Sequence, residues 1–84
     1  MLTLLYFARL RDALGVSSEQ VELPADVSDV AGLVAWLRLR GAAWEGELAP
    51  GRAFRVAVNQ DMADAASGIK DGDEIAIFPP VTGG

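Results

Sequence analysis

The stretch IAIFPPVTGG, residues 75–84, joins a short apolar run to two prolines and a Gly-Gly end. The apolar run predicts a buried strand, which must stop at Pro79 because proline fixes φ and has no amide hydrogen to donate. The other end of the chain, MLTLLYF at residues 1–7, is a second dense apolar run. A long connection that contains a helix separates the two runs, as a parallel strand pair requires. The sequence therefore predicts that the first and last strands lie side by side in the middle of a sheet, with both of their faces buried.

The residues between these two strands predict one main helix. Ser28 is the candidate N-cap, and Asp29 follows in the first turn, where a carboxylate is favourable against the helix dipole. The spacing i, i+3, i+4, i+7 gives one apolar stripe, which we expect to pack across the sheet: Val30, Leu33, Val34 and Leu37.

Shorter elements complete the predicted fold. Residues 8–14 predict a short helix that ends at Gly15, and residues 17–23 predict a half-buried second strand. Residues 41–51 are interpreted as a loop in which Trp44 closes the edge of a small core. Alternation over residues 53–59 predicts a strand, followed by a turn and a short strand near Met62, and residues 70–74 form the turn into the last strand.

This element order predicts an α+β fold, the ubiquitin-like β-grasp. It has a mixed sheet with one main helix packed across it and a protruding C-terminal Gly-Gly tail. The 84 residues are interpreted as a single domain, 1–84, in which residues 78–84 form a flexible functional tail.

Composition limits the possible functions. The net charge of −5 argues against nucleic acid as a partner and favours a basic protein partner. Cysteine and histidine are both absent, so thiolate or imidazole metal ligation, a cysteine nucleophile and a histidine base are excluded for these residues. No signal-peptide pattern or apolar run of about 20 residues is present, from which we expect a cytoplasmic protein with no membrane partner.

The tail itself carries the candidate chemistry. Val81 and Thr82 favour extended backbone, whereas Gly83 and Gly84 have no Cβ and let a partner close tightly around the main chain. The carboxylate of Gly84 can be adenylated with ATP in a partner's active site, which opens its carbon to attack by a nucleophile. The chain end is therefore the candidate reactive group, although a Gly-Gly end by itself can also be a frayed terminus.

The segments DGDEIAIFPPVTGG at residues 71–84, FARLRDALG at residues 7–15 and VNQ at residues 58–60 together resemble the MoaD family, the small sulfur-carrying subunits of molybdopterin synthase. The resemblance covers essentially the whole chain. It implies that an E1-like adenylating enzyme uses ATP to activate Gly84 and that a sulfur donor protein converts this glycine to a thiocarboxylate. It further implies that the large synthase subunit holds the tail while sulfur passes to cyclic pyranopterin phosphate to form the dithiolene. The implied assembly is a heterotetramer of two small and two large subunits, in which this chain is a non-catalytic sulfur donor with no bound cofactor or metal.

The resemblance also implies a partner-binding surface. Its candidate residues are an apolar patch and the tail that a partner encloses: Phe7, Met62, Phe78, Pro79, Pro80, Val81, Thr82 and Gly83. The alternative for Phe7 and Phe78 is an ordinary place in the core, because both lie in strands of buried type. We also expect the tail-bearing face to be acidic and to meet cationic side chains of the partner.

Two other functions remain open. One is a different sulfur carrier on the same fold, such as the thiamine-pathway carrier, whose members tend to lack FPPVTGG and the FARLRDALG segment. The other is a ubiquitin-like protein modifier, in which a lysine amine captures the same activated glycine. The activation chemistry is shared by all three.

Overall fold

The computed structural model describes residues 1–80 and shows one five-stranded mixed sheet with three helices. The elements in chain order are β1 (Leu2–Tyr6), α1 (Ala8–Leu14), β2 (Ser18–Val21), α2 (Val30–Arg38), α3 (Ala42–Glu47), β3 (Arg55–Val58), β4 (Asp61–Ala63) and β5 (Glu74–Phe78). The strand order is β2-β1-β5-β3-β4, in which β1 and β5 are parallel and all other neighbours are antiparallel. This arrangement confirms the predicted ubiquitin-like β-grasp.

The two apolar runs form the centre of the sheet, as predicted. Tyr6 of β1 lies in register with Ile77 of β5, and alternate residues of both strands are fully buried in the core. The prediction that both faces of these strands are buried was wrong, because the intervening residues Thr3, Leu5 and Ala76 are only half-buried. The helices cover one face of the sheet, so only every second side chain reaches the core.

Helix α2 begins one residue later than predicted, because its N-cap is Asp29 and not Ser28. Asp29 has extended backbone, and its Oδ1 accepts a hydrogen bond of 2.7 Å from the amide of Gly32. The carbonyl of Ser28 instead accepts from the amide of Ile69, in the segment that leads towards β5. A Cβ on Gly32 would lie 3.2 Å from Asp29 Oδ1, which explains a glycine inside the helix.

The predicted loop 41–51 contains helix α3, which sequence analysis missed. The ring of Trp44 on this helix meets Tyr6 edge to face at 5.5 Å between centroids, and Leu48 directly after the helix is fully buried. The prediction that Trp44 is half-buried at the edge of the core is therefore confirmed. Six residues are too few to show helical periodicity, so the tertiary contacts of Trp44 and Leu48 decide that the segment is helical.

A hydrogen-bonded cluster fastens α2 and α3 to the sheet. Arg40 forms two hydrogen bonds, of 2.7 and 3.0 Å, with the carboxylate of Glu19, and the hydroxyl of Tyr6 donates to the same carboxylate at 2.8 Å. The guanidinium of Arg40 also lies 4.3 Å from the ring centroid of Trp44. The hydrogen bonds from Arg40 hold the pKa of Glu19 below its usual value, while burial raises the pKa of Tyr6. Glu19 is therefore ionised and Tyr6 is neutral near pH 7.

We expect Glu19→Gln to lower the free energy of unfolding at pH 7 by about 1–2 kcal/mol, because a neutral acceptor replaces a charged one in these hydrogen bonds. The pKa of Glu19 is lower in the folded protein, so its contribution is present above the unfolded pKa and is lost as the pH falls through the folded pKa. The stability difference between the two proteins should therefore narrow on acidification. Urea unfolding from neutral to acidic pH measures this difference, with the exposed Glu22→Gln as the matched control. A difference that stays constant with pH would contradict the role given to the charge of Glu19.

Candidate functional site

The central strand β5 carries the chain towards its C-terminus. Pairing with β1 holds this strand up to Ile77, and pairing with β3 holds it up to Phe78. The ladder ends there because Pro79 has no amide hydrogen to donate. Phe78, which the sequence prediction placed both in the last strand and at the start of the tail, is the last residue of β5, and Pro79 and Pro80 are half-buried. The remaining predicted site residues lie outside the described part of the chain: Val81, Thr82, Gly83 and Gly84.

The candidate patch residues share the face of the sheet that the helices leave open. Phe78 alternates with the core residue Ile77, and Phe7 alternates with the core residue Tyr6, so both rings point away from the core. The structure places 46% of Phe7 and 63% of Met62 in solvent, whereas Phe78 is half-buried. The alternative that Phe7 and Phe78 are core residues does not agree with these positions.

Small and aliphatic side chains connect the three patch residues. The register places Leu5 beside Ala76, Ala76 beside Ala57, and Ala57 beside Met62, in one row across four strands. Sequence analysis missed this row, although alternation outward from Phe7 and Phe78 would have assigned Leu5 and Ala76 to the same face. We name Phe7, Met62 and Phe78, together with this connecting row, the outer patch.

Basic side chains flank the point where the chain leaves the sheet. Arg55 is paired with Phe78, and a cleft beside Pro79 and Pro80 is lined by Arg9 and Arg52. The expectation of an acidic tail-bearing face was therefore wrong for the described residues. The error arose because a net charge counts side chains without locating them, and folding brings together arginines from α1, β3 and the loop before β3.

The described side chains that line the cleft beside Pro79 and Pro80 include Arg9 and Arg52, which provide neither a nucleophile nor a general base at neutral pH. The carboxylate of Glu47 is close to this cleft but is paired with both arginines. Asp73, 5% exposed, lies at the other end of the strand. There the carboxylate of Asp73 accepts one hydrogen bond from the side-chain amide of Asn59 and one from the backbone N–H of Lys70. These two bonds, of which the one from Asn59 has the larger effect, hold the pKa of Asp73 below its usual value. This carboxylate joins the β3–β4 turn to the start of β5 and so has a structural role.

Two further observations concern metals and membranes. Over residues 1–80, no three His, Cys, Asp or Glu side chains are close enough to hold a metal ion. Within the same range, none of the helices has the length and apolar character needed to cross a bilayer.

Comparison with known proteins places this geometry in a family. The model of the ThiS family matches residues 4–84. The molybdopterin synthase sulfur carrier subunit of Haemophilus influenzae is 40% identical to this chain over 84 residues, which are the full length of both proteins.

Solved structures agree with the fold. SAMP1 of Haloferax volcanii, a small archaeal modifier protein, superposes with a TM-score of 0.78 at 27% identity, covering 99% of this chain and 98% of that one. A subunit in the complex of subunits 1 and 2 of molybdopterin-converting factor from Helicobacter pylori superposes with a TM-score of 0.65, covering 99% and 97% of the two chains. The latter is 24% identical to this chain and shows the shared fold.

Proposed function

We propose that this chain, which belongs to the ThiS family, is the sulfur carrier subunit of a molybdopterin synthase. The observation that carries the proposal is the full-length similarity to a protein of that name. The end of the central strand supports it, because the described residues that lead towards the Gly-Gly end, Phe78 to Pro80, lie beside an exposed apolar patch.

The proposed reaction takes place on the C-terminal glycine. The carboxylate of Gly84 attacks the α-phosphate of ATP in an E1-like adenylating enzyme and releases pyrophosphate. Sulfide-level sulfur delivered by a donor protein then attacks the acyl carbon, displaces AMP and leaves a thiocarboxylate, which stays ionised near neutral pH and is a soft nucleophile. The large synthase subunit encloses residues 79–84 and directs this sulfur to cyclic pyranopterin phosphate.

The partners supply the remaining groups for this chemistry. The large subunit and the adenylating enzyme both dock on the outer patch, where apolar surface is already exposed on a rigid sheet. The name of the Helicobacter pylori complex supports a partner of this kind for the fold. The chain itself binds no cofactor, acts in the cytoplasm, and assembles as two small and two large subunits.

The experiment that tests the proposal is the intact mass of the protein after incubation with ATP, the adenylating enzyme and a sulfur donor. We expect one oxygen of the terminus to be replaced by sulfur. The loaded protein, mixed with the large subunit and cyclic pyranopterin phosphate, should then return to its original mass as dithiolene forms. Loading without transfer to the pyranopterin would favour a different sulfur carrier, and no loading would contradict the proposal.

A protein modifier is the second candidate, favoured by the similarity to SAMP1. It shares the activated glycine but delivers it to a lysine amine. Conjugates of this chain in cell lysate that disappear when Gly84 is deleted would favour this function.

A further inference from the structure

We propose that the base of the tail carries a cationic collar, formed by Arg9, Arg52 and Arg55, that docks against an acidic rim on the large synthase subunit. The inference rests on the proposed function, and it adds the chemistry of the partner surface around the channel that receives the tail.

Contacts and register bring the collar together from three separate parts of the chain. Nε of Arg9 on α1 and Nη2 of Arg52 each lie 3.4 Å from Oε1 of Glu47, the last residue of α3. Arg9 and Arg52 also line the cleft that contains Pro79 and Pro80. Arg55 begins β3 directly opposite Phe78, and it is exposed.

The charge of the collar is opposite to that of the whole protein. Arg9 and Arg52 share one carboxylate, Glu47, and Arg55 adds a third positive charge opposite Phe78. These four side chains sum to a charge of +2 in a chain whose net charge is −5. The shared contact with Glu47 also holds Arg9 and Arg52 in place before a partner arrives, which lowers the side-chain entropy lost on docking.

The position of the collar next to the outer patch indicates which partner binds it. Arg55 is the cross-strand neighbour of Phe78, a residue of the outer patch, so the collar continues an apolar surface already assigned to the partner. An apolar centre with a charged rim is the usual anatomy of a protein interface. A partner that encloses residues 79–84 must place some of its own surface over Arg9 and Arg52, and carboxylates there complement the collar.

The test measures the dissociation constant of the wild-type chain and the large subunit across a range of salt concentrations. We expect Arg9→Gln/Arg52→Gln to weaken binding about tenfold at low salt, and the difference to shrink as salt screens the rim charges. Lys70→Gln is the matched control, because it removes one exposed positive charge at the opposite end of β5. We expect it to leave the affinity within about twofold of the wild type.

The outcomes separate the two proposals. If Arg9→Gln/Arg52→Gln binds the large subunit as tightly as the wild type, or more tightly, the collar is overturned while the proposed function stays intact. Strengthened binding would indicate the basic partner surface that the net charge alone favours. Failure of the wild-type chain to bind the large subunit at any salt concentration would overturn the proposed function and the collar with it. A melting temperature for the double variant close to that of the wild type excludes unfolding as the cause of weak binding.

Discussion

Deletion of Gly84 is expected to abolish sulfur loading while leaving the free energy of unfolding within about 0.5 kcal/mol of the wild-type value. The shortened chain still ends in a glycine carboxylate, but it ends one residue earlier, and one residue of backbone spans up to about 3.5 Å. Displacement of a reacting group by about 1 Å can cost a hundredfold in rate, so one missing residue is sufficient to stop the reaction. Stability should be unaffected because, over residues 1–80, the buried core lies between Leu2 and Ile77.

Intact mass after the loading reaction and thermal unfolding measure these two effects. Addition of one glycine after Gly84 should give the same loss, because the carboxylate then lies too far along the channel. Gly84→Ala keeps the length of the tail and adds only a Cβ, so we expect slower loading instead of none. Full loading of the shortened chain, or a large fall in its melting temperature, would contradict a tail that acts only through its end.

The second large effect is expected at the outer patch. Phe7→Ser together with Met62→Ser should weaken binding of the large subunit by about 30-fold or more, the loss typical of residues that dominate an interface. The free energy of unfolding should change by no more than about 1–2 kcal/mol, because Phe7 is 46% and Met62 is 63% exposed. Phe7 is also the N-cap residue of α1 and makes no side-chain cap, so serine at this position does not remove a helix contact.

Leu39→Ser is the matched control for the patch. Leu39 is also apolar and is 84% exposed, but it lies at the C-terminal end of α2 and not on the open face of the sheet. Isothermal titration with the large subunit and urea unfolding of each variant measure both quantities. Equal effects of the patch and control substitutions would mean that exposed apolar surface is not the determinant of binding. A large loss of stability in the patch variant would instead indicate that Phe7 and Met62 support the fold.

Phe78 is expected to contribute both to stability and to binding of the large subunit. It is half-buried, so Phe78→Ala should cost about 1–2 kcal/mol of stability, less than the roughly 3–5 kcal/mol of a fully buried ring, and should also weaken binding. A loss near 4 kcal/mol would indicate that the ring supports the sheet more than the interface.

Much of the fold followed from local patterns. The apolar runs at both ends of the chain predicted the parallel β1–β5 pair, and the i, i+4 stripe from Val30 to Leu37 predicted α2. The helix prediction succeeded because burial of one face forces a period of 3.6 on a helix. The prediction of the strand pair succeeded because a long connection that contains a helix is what a parallel pair requires. The terminal Gly-Gly and its double proline also suggested the chain end as the reactive group, from residue chemistry alone.

Other features depend on partners that are distant in sequence. Helix α3 is set by the contact of Trp44 with Tyr6, 38 positions away in the chain. Glu19 and Arg40 are 21 positions apart and meet only when β2 and α2 pack together. The choice between Ser28 and Asp29 as N-cap depended on where the carbonyl of Ser28 is bonded, which the segment near Ile69 decides.

The sequence by itself determined the element order, the central strand pair, the main helix and the chemistry available at the Gly-Gly end. Each of these was predicted from patterns within short segments of the chain, whose residue spacing and side-chain chemistry can be read directly from the sequence. Only the tertiary structure decided that Phe7 and Met62 are exposed and that Arg9, Arg52 and Arg55 lie beside residues 78–80. The physical reason is that exposure and local charge are properties of a surface, and a surface exists only after distant segments have packed together.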